Sequence, residues 1–437
     1  MLAGGSPRRF AAGLGLLVAL AALMATLGAA NASAYECYSG MVNPGECNLQ
    51  PLKSIGHDVV PTTTTYFVYW DPKGAPRFPA GYASGIKTFF KGLEHDNGTD
   101  QNFYSVLTQY RATYETHVGK AITDKHPYPA EPSDCDFRPS SPCVSFVQIG
   151  EELSGLVREN KLPGQHFEPG QSYSAEPTHS YFVLLPPGVS ICDGDRSGHV
   201  AIGCSSRNFC SYHDHAFIKG DPESAENLVW AGMPYLPGIT GCETPQHPNG
   251  PVDSELNVME HEFAEMITDP LSDGWANSPT TGEEEVADIC ESGRFSAPSK
   301  EFEEKMDWGT PLGTASNGAL YNQVIDGRDY YLQQMYSDEV QGCRQRTGLP
   351  PTVTKLAPAK GSVAGGKKVK ITGLNFENPT VTGVSFGSVP AKEFTVTSPT
   401  SITAVSPASG STGVVKVTLT TSAGTNASTT TDQFTYE

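Results

Sequence analysis

Apolar positions come in three kinds of run along this chain, and each predicts a different element. Tyr66-Phe67-Val68-Tyr69-Trp70 and Tyr181-Phe182-Val183-Leu184-Leu185 are short, almost continuously apolar and rich in β-branched or aromatic side chains, the signature of strands buried on both faces. Residues Gly85 to Leu93 and Glu151 to Asn160 carry apolar side chains at helical spacing instead. Leu256, Met259, Phe263, Met266 and Ile267 also share one face at about 100° per residue, which predicts a helix with that face toward the core. Asp253 or Ser254 is its expected N-cap, and Pro270 ends it near Thr268 by excluding α geometry from Asp269. The Pro-, Gly- and Ser-rich stretches 125–143 and 162–180 predict loops. Beyond Gly348-Leu349-Pro350-Pro351 the pattern changes to short alternating runs, such as Lys368-Val369-Lys370-Ile371-Thr372 and Val415-Lys416-Val417-Thr418-Leu419, separated by turn residues. The expectation is an α+β domain over residues 35–349, tied by disulfides across large loops, followed by a small all-β sandwich over residues 350–437.

The first 34 residues refine that picture. Arg8 and Arg9 precede an apolar stretch from Phe10 to Ala30, and Ala32-Ser33-Ala34 has the small side chains of a signal-peptide cleavage site. Export with Tyr35 as the mature start is expected, an uncleaved anchor being the other reading of so long a stretch. No later segment is apolar enough to span a bilayer. All ten cysteines follow the signal, an even number that favours disulfides in an exported chain. No CxxC pair has zinc-ribbon spacing, so a bound metal must take His and carboxylate ligands. The formal charge of −19 argues against nucleic acid and anionic membrane as partners.

The chemistry concentrates in His261-Glu262-Phe263-Ala264-Glu265, which departs from the HExxH helix of zinc hydrolases only in its last residue. One helical turn brings His261 and Glu265 to a shared ion, while Glu262 can take a proton from an attacking water. A carboxylate as second ligand is able to bind zinc but lowers its Lewis acidity. Glu265 also lies near a helix C-terminus, where the macrodipole disfavours an anion and a cation would relieve the conflict. A third ligand is needed. Glu285, 20 positions after Glu265, resembles in its spacing the glutamate ligand of thermolysin-like zinc peptidases. Asp288 lies one turn further on, where such enzymes carry a second-shell carboxylate, and Glu283 and Glu284 crowd the same run. His213, in Cys210-Ser211-Tyr212-His213-Asp214-His215, is an alternative ligand. A solvated polar helix face bearing Glu260, His261, Glu262 and Glu265 accounts for the same residues without any metal.

Two resemblances follow. The tail resembles the IPT/TIG family of immunoglobulin-like domains through Pro358, Gly361-Ser362, Gly365-Gly366, Ile371-Thr372-Gly373-Leu374-Asn375-Phe376, Val384-Ser385-Phe386-Gly387, Ser406-Pro407-Ala408 and Phe434-Thr435-Tyr436. That resemblance implies an accessory module for spacing, docking or adhesion, with a cell-surface or carbohydrate partner. The region from Tyr66 to Cys343 resembles the EXORDIUM or phosphate-induced protein family, and more closely its bacterial relatives. It does so through Tyr181 to Pro187, Cys210-Ser211-Tyr212-His213, His261 to Glu265 running into Thr268-Asp269-Pro270-Leu271, Glu285-Val286-Ala287-Asp288-Ile289-Cys290, and Tyr321-Asn322 through Gly327-Arg328-Asp329-Tyr330. The family carries His-Glu-x-x-Glu, so Glu265 is a shared trait. The resemblance implies an extracellular location and no settled activity.

Two functions are therefore expected. One is a secreted zinc-dependent hydrolase on a zincin-like domain, acting on an extracellular peptide or protein, with His261, Glu265 and Glu285 as ligands, Glu262 as general base, and Asp288 and His213 in support. The alternative is a non-catalytic cell-surface binding protein on the same scaffold. Ser-His-Asp catalysis is disfavoured, because no GxSxG elbow occurs.

Overall fold

The computed structural model describes residues 52–54, 59–129, 142–163, 178–193, 203–205, 209–217, 227–272, 274–276, 285–292, 305–339, 341–377, 379–421 and 423–437. The expected signal segment, Cys37, Cys47, Cys135, Glu283 and Glu284 lie outside the described residues.

A five-stranded sheet organises the larger domain. Its strands are β1 (Thr62–Trp70), β2 (Glu115–Asp124), β3 (His179–Leu184), β4 (Tyr212–Phe217) and β5 (Asn227–Met233), in the order β2-β1-β3-β5-β4. The first four in that order are parallel, and β4 runs antiparallel to β5 along one edge. Among the described residues four α-helices accompany them: α1 (Tyr82–His95), the short α2 (Tyr104–Leu107), α3 (Phe146–Arg158) and α4 (Val252–Thr268).

The period of two along each strand sends alternate side chains to opposite layers. Val68, Trp70, Tyr181, Val183 and Trp230 pack with Phe146, Ile149 and Leu153 of α3. Phe67 and Phe182 face the other way, where Phe90 of α1 and Phe263 of α4 complete an aromatic cluster. Helices thus cover both faces of a mostly parallel sheet, a mixed α/β arrangement rather than the expected α+β one. The apolar runs of β1 and β3 are the cause: strands hydrophobic on both faces need cover on both.

Elements expected from periodicity are found with adjusted bounds. Helix α3 begins at Phe146, earlier than Glu151, because Ser145 and Gln148 form a reciprocal capping box. Helix α4 ends at Thr268, as Pro270 requires. Its start differs from expectation. Pro251 is the N-cap and has no side-chain acceptor for the first amides; Asp253 instead accepts from the backbone and side-chain nitrogens of Asn249, and the Ser254 hydroxyl accepts from Thr244 N.

Disulfides Cys192–Cys204, Cys210–Cys242 and Cys290–Cys343 secure the connections, and none of the described cysteines is free. Such crosslinks fit an oxidising, extracellular setting. Among the described residues no helix is long and apolar enough to cross a membrane.

The tail is a sandwich. One sheet orders Thr352–Ala357, Lys368–Leu374, Ser401–Val405 and Glu393–Ser398; the other centres on Gly413–Thr421, flanked by Gly383–Phe386 and Gln433–Tyr436. Between them lie Val369, Ile371, Phe386, Val417, Leu419 and Phe434. Gly365 is obligatory here, since its φ is +73° and a Cβ would stand 2.5 Å from the carbonyl oxygen of Pro407.

Candidate metal centre

Helix α4 is buried along nearly its whole length, polar face included: Glu260 is 0% exposed, Glu262 4% and Glu265 3%. A solvated polar face is therefore excluded. Phe263 fixes the helix rotation by packing on Phe90 and Phe182, which leaves His261 and Glu265 facing edge strand β4 and the segment from Glu285 to Glu291.

Strand β4 contributes through its alternation. Tyr212 stacks flat on Phe146, and Ala216 meets Gly150 of the same helix, so His213, one residue on from Tyr212, points to the opposite layer. Its Nδ1 lies 3.4 Å from Glu262 Oε2 and 3.5 Å from Glu265 Oε2. On the other side of Glu265, His261 Nε2 is 3.2 Å from the same Oε2 and 3.7 Å from Asp288 Oδ1. Two triplets that share Glu265 result: His213, Glu262 and Glu265, and His261, Glu265 and Asp288, each with its ligand atoms within 4.8 Å of one another.

Glu285 stands behind His213 rather than in either triplet, 3.5 Å from Nε2, with its carboxyl group against that of Asp269. Burial, then the charges of Glu265 and Asp269, pushes its pKa well above the carboxylate range. Burial and the Asp288 charge likewise raise Glu265. Burial opposes charge on His213, but the hydrogen bond to Glu262 and the surrounding carboxylates outweigh it and push the imidazole up to about 9. His261 is raised in the same way: burial is overcome chiefly by Glu265.

Three residues that the sequence did not single out orient the centre. Gln333 places Oε1 3.2 Å from His261 Nδ1 and donates from Nε2 to Ala287 O. Its backbone N donates to Asn257 Oδ1, and Glu291 Oε2 lies 3.8 Å from His261 Nδ1. Asn257 was legible, since it precedes His261 by one helical turn. Gln333 was not, because it is 72 residues away and reaches the helix only through the Cys290–Cys343 crosslinked region.

Within each triplet the donor atoms stand near the spacing of zinc ligands, whereas His213 and His261 share no triplet. Ligands about 2.0–2.1 Å from tetrahedral zinc stand about 3.3 Å apart, and the separations around His213, Glu262, Glu265 and His261 run from 3.2 to 3.5 Å.

Comparisons with known proteins cover parts of the chain. Over 110 residues, a quarter of its length, it is 31% identical to protein EXORDIUM-like 3 of Arabidopsis thaliana, and the match spans 31% of that relative. Solved structures with partial likeness include the plexin A4 extracellular region (24% identity, 26% of this chain and 11% of that one, TM-score 0.20). Another is SGBP-B from a complex xyloglucan utilization locus in Bacteroides uniformis (22% identity, 20% of this chain and 23% of that one, TM-score 0.17). The family model for the IPT/TIG domain matches residues 351–436, and that segment of the chain is an IPT/TIG domain.

Proposed function

We propose that the larger domain is an extracellular zinc-dependent hydrolase of the zincin-like kind, acting on peptide or protein, with His213, His261 and Glu265 as the ligand set and Glu262 as the general base. The observation that carries this reading is the approach of His213 and His261 to the same oxygen of Glu265, at 3.5 and 3.2 Å. Two imidazoles and one carboxylate make a donor set that catalytic zinc sites use, and an ion there would draw the two rings, which share no triplet in its absence, toward that oxygen. The glutamate at the second helical position is then no defect, because strand β4 supplies the second histidine. Bound zinc would supply Lewis acidity toward a scissile carbonyl.

The remaining residues have separable tasks. Glu262 accepts the proton of the attacking water and delivers it to the leaving amine. Glu285, close to His213 Nε2, fixes that ring so that Nδ1 faces the helix. Gln333 does the same for His261. Asp288 anchors Glu265 by donating its backbone N–H to Oε1 at 3.2 Å.

Chelator-washed protein given zinc should retain one ion through this set. His213→Ala and His261→Ala should each lose it, whereas Glu262→Gln should keep it and lower peptide hydrolysis by about 10²–10⁴-fold. Retention of the ion by His213→Ala would refute the ligand set. The depth of the cluster favours a second reading, a closed structural ion on a binding scaffold, since a catalytic ion keeps a position open. Undiminished zinc with no turnover on casein or denatured collagen would select it.

A further inference from the structure

A second group of ligating side chains lies at the far edge of the sheet, on β2. That strand ends at Asp124, at the C-terminal edge of the parallel strands where α/β domains present their ligands. His126 follows two residues later, and Glu152 projects from α3. The ligand atoms of Asp124, His126 and Glu152 lie within 4.8 Å of one another. His126 Nδ1 is 2.5 Å from Glu152 Oε1 and 3.3 Å from Asp124 Oδ1.

The ring is held in place from its backbone. His126 N donates to Asp124 Oδ1 at 3.1 Å, and its carbonyl accepts from Trp70 Nε1 at 3.0 Å. Asp124 supplies an independent sign that something is wanted here: its side chain is wholly buried, yet Oδ2 has no hydrogen-bond partner. A buried carboxylate oxygen without a donor costs about 1–3 kcal/mol or more. Glu152 meets the ring from the other side through Oε1. The basic neighbour, Lys161, pairs with Glu159 at 2.7 Å and approaches the other ring nitrogen, Nε2, at 3.3 Å, so it does not fill the space between the carboxylates and Nδ1.

We propose that Asp124, His126 and Glu152 form a second divalent-cation site, of the zinc or manganese class, that clamps the end of β2 to α3. One imidazole with two carboxylates suits a borderline divalent ion better than calcium, which favours oxygen throughout. The 3.3 Å spacing already matches a tetrahedral edge of about 3.3 Å, and the half-exposed Glu152 contact need open by less than about 1 Å. Water completes the coordination on the open side. This site is independent of the α4 centre, and either can fail without the other.

Histidine modification by diethyl pyrocarbonate, read peptide by peptide on the wild-type chain, separates the two. Zinc at micromolar concentration should slow modification of His126 at least about 10-fold, and Glu152→Gln or Asp124→Asn should abolish that protection while leaving the protection of His213 and His261 as it was. Equal modification of His126 with and without zinc would overturn the second site. So would protection that survives both substitutions. A parallel titration of His261→Ala protein should show one remaining zinc equivalent, which Glu152→Gln removes; no binding in His261→Ala contradicts the proposal.

Discussion

At the residue scale the larger domain is unusual for the acids it buries. Glu255 and Glu260 are both fully buried on α4, and no partner reaches either oxygen of Glu260. Burial raises the pKa of Glu255 from 4.5 to about 8, against the opposing hydrogen bond donated by Leu236 N. The native state thus binds a proton that the unfolded chain releases near pH 4.5. Its contribution to stability is fully present below that value and is lost as pH rises through about 8. Urea midpoints measured across this window should fall for wild type and fall less for Glu255→Gln. Equal slopes would show that Glu255 is ionised in the folded protein.

At the element scale the proposed metal centre depends on the rotation of one helix. Phe263 sits between His261 and Glu265 in sequence, but on the opposite side of α4, locked against Phe90 and Phe182. Phe263→Ala should cost about 3–5 kcal/mol and weaken zinc binding together with stability, although residue 263 touches no ligand. A loss of stability with unchanged zinc affinity would mean that β4 and the 285–291 segment position the ligands unaided. The Cys290–Cys343 disulfide ties that segment to the hairpin formed by Met335–Ser337 and Gly342–Arg344. Replacing both cysteines with alanine should lower stability by about 2–4 kcal/mol, as seen by thermal unfolding.

For the whole molecule, the question is how the IPT/TIG domain is carried. Asn375 lies at its boundary in a left-handed conformation, φ 62°. Its Oδ1 accepts from Asp100 N at 3.1 Å, and its Nδ2 donates to Gly98 O and Pro350 O at 3.1 and 3.3 Å. One side chain therefore joins the sandwich, the connector and the larger domain. Asn375→Gly keeps the backbone conformation and removes those bonds. It should speed limited proteolysis near Gly348 while leaving the unfolding temperature of the sandwich almost unchanged. Resistance equal to wild type would show that these bonds do not hold the sandwich to the larger domain.

The sequence by itself determined the helices and strands with strong periodicity, the end of α4 at Thr268 and the sandwich. Local rules suffice for these: an apolar run specifies a strand, a proline two residues past Thr268 specifies a stop, and glycines at obligatory positions mark the IPT/TIG turns. It misplaced the cap of α4, because Asp253 and Ser254 are used by Asn249 and Thr244, partners that only the folded loop brings near. Spacing along the chain favoured Glu285 as third ligand. Only the tertiary structure decided which groups meet, since His213 reaches Glu262 from an edge strand whose alternation is set by Tyr212 stacking on Phe146. Convergence of side chains from distant segments is a property of packing, and one-dimensional spacing carries no record of it.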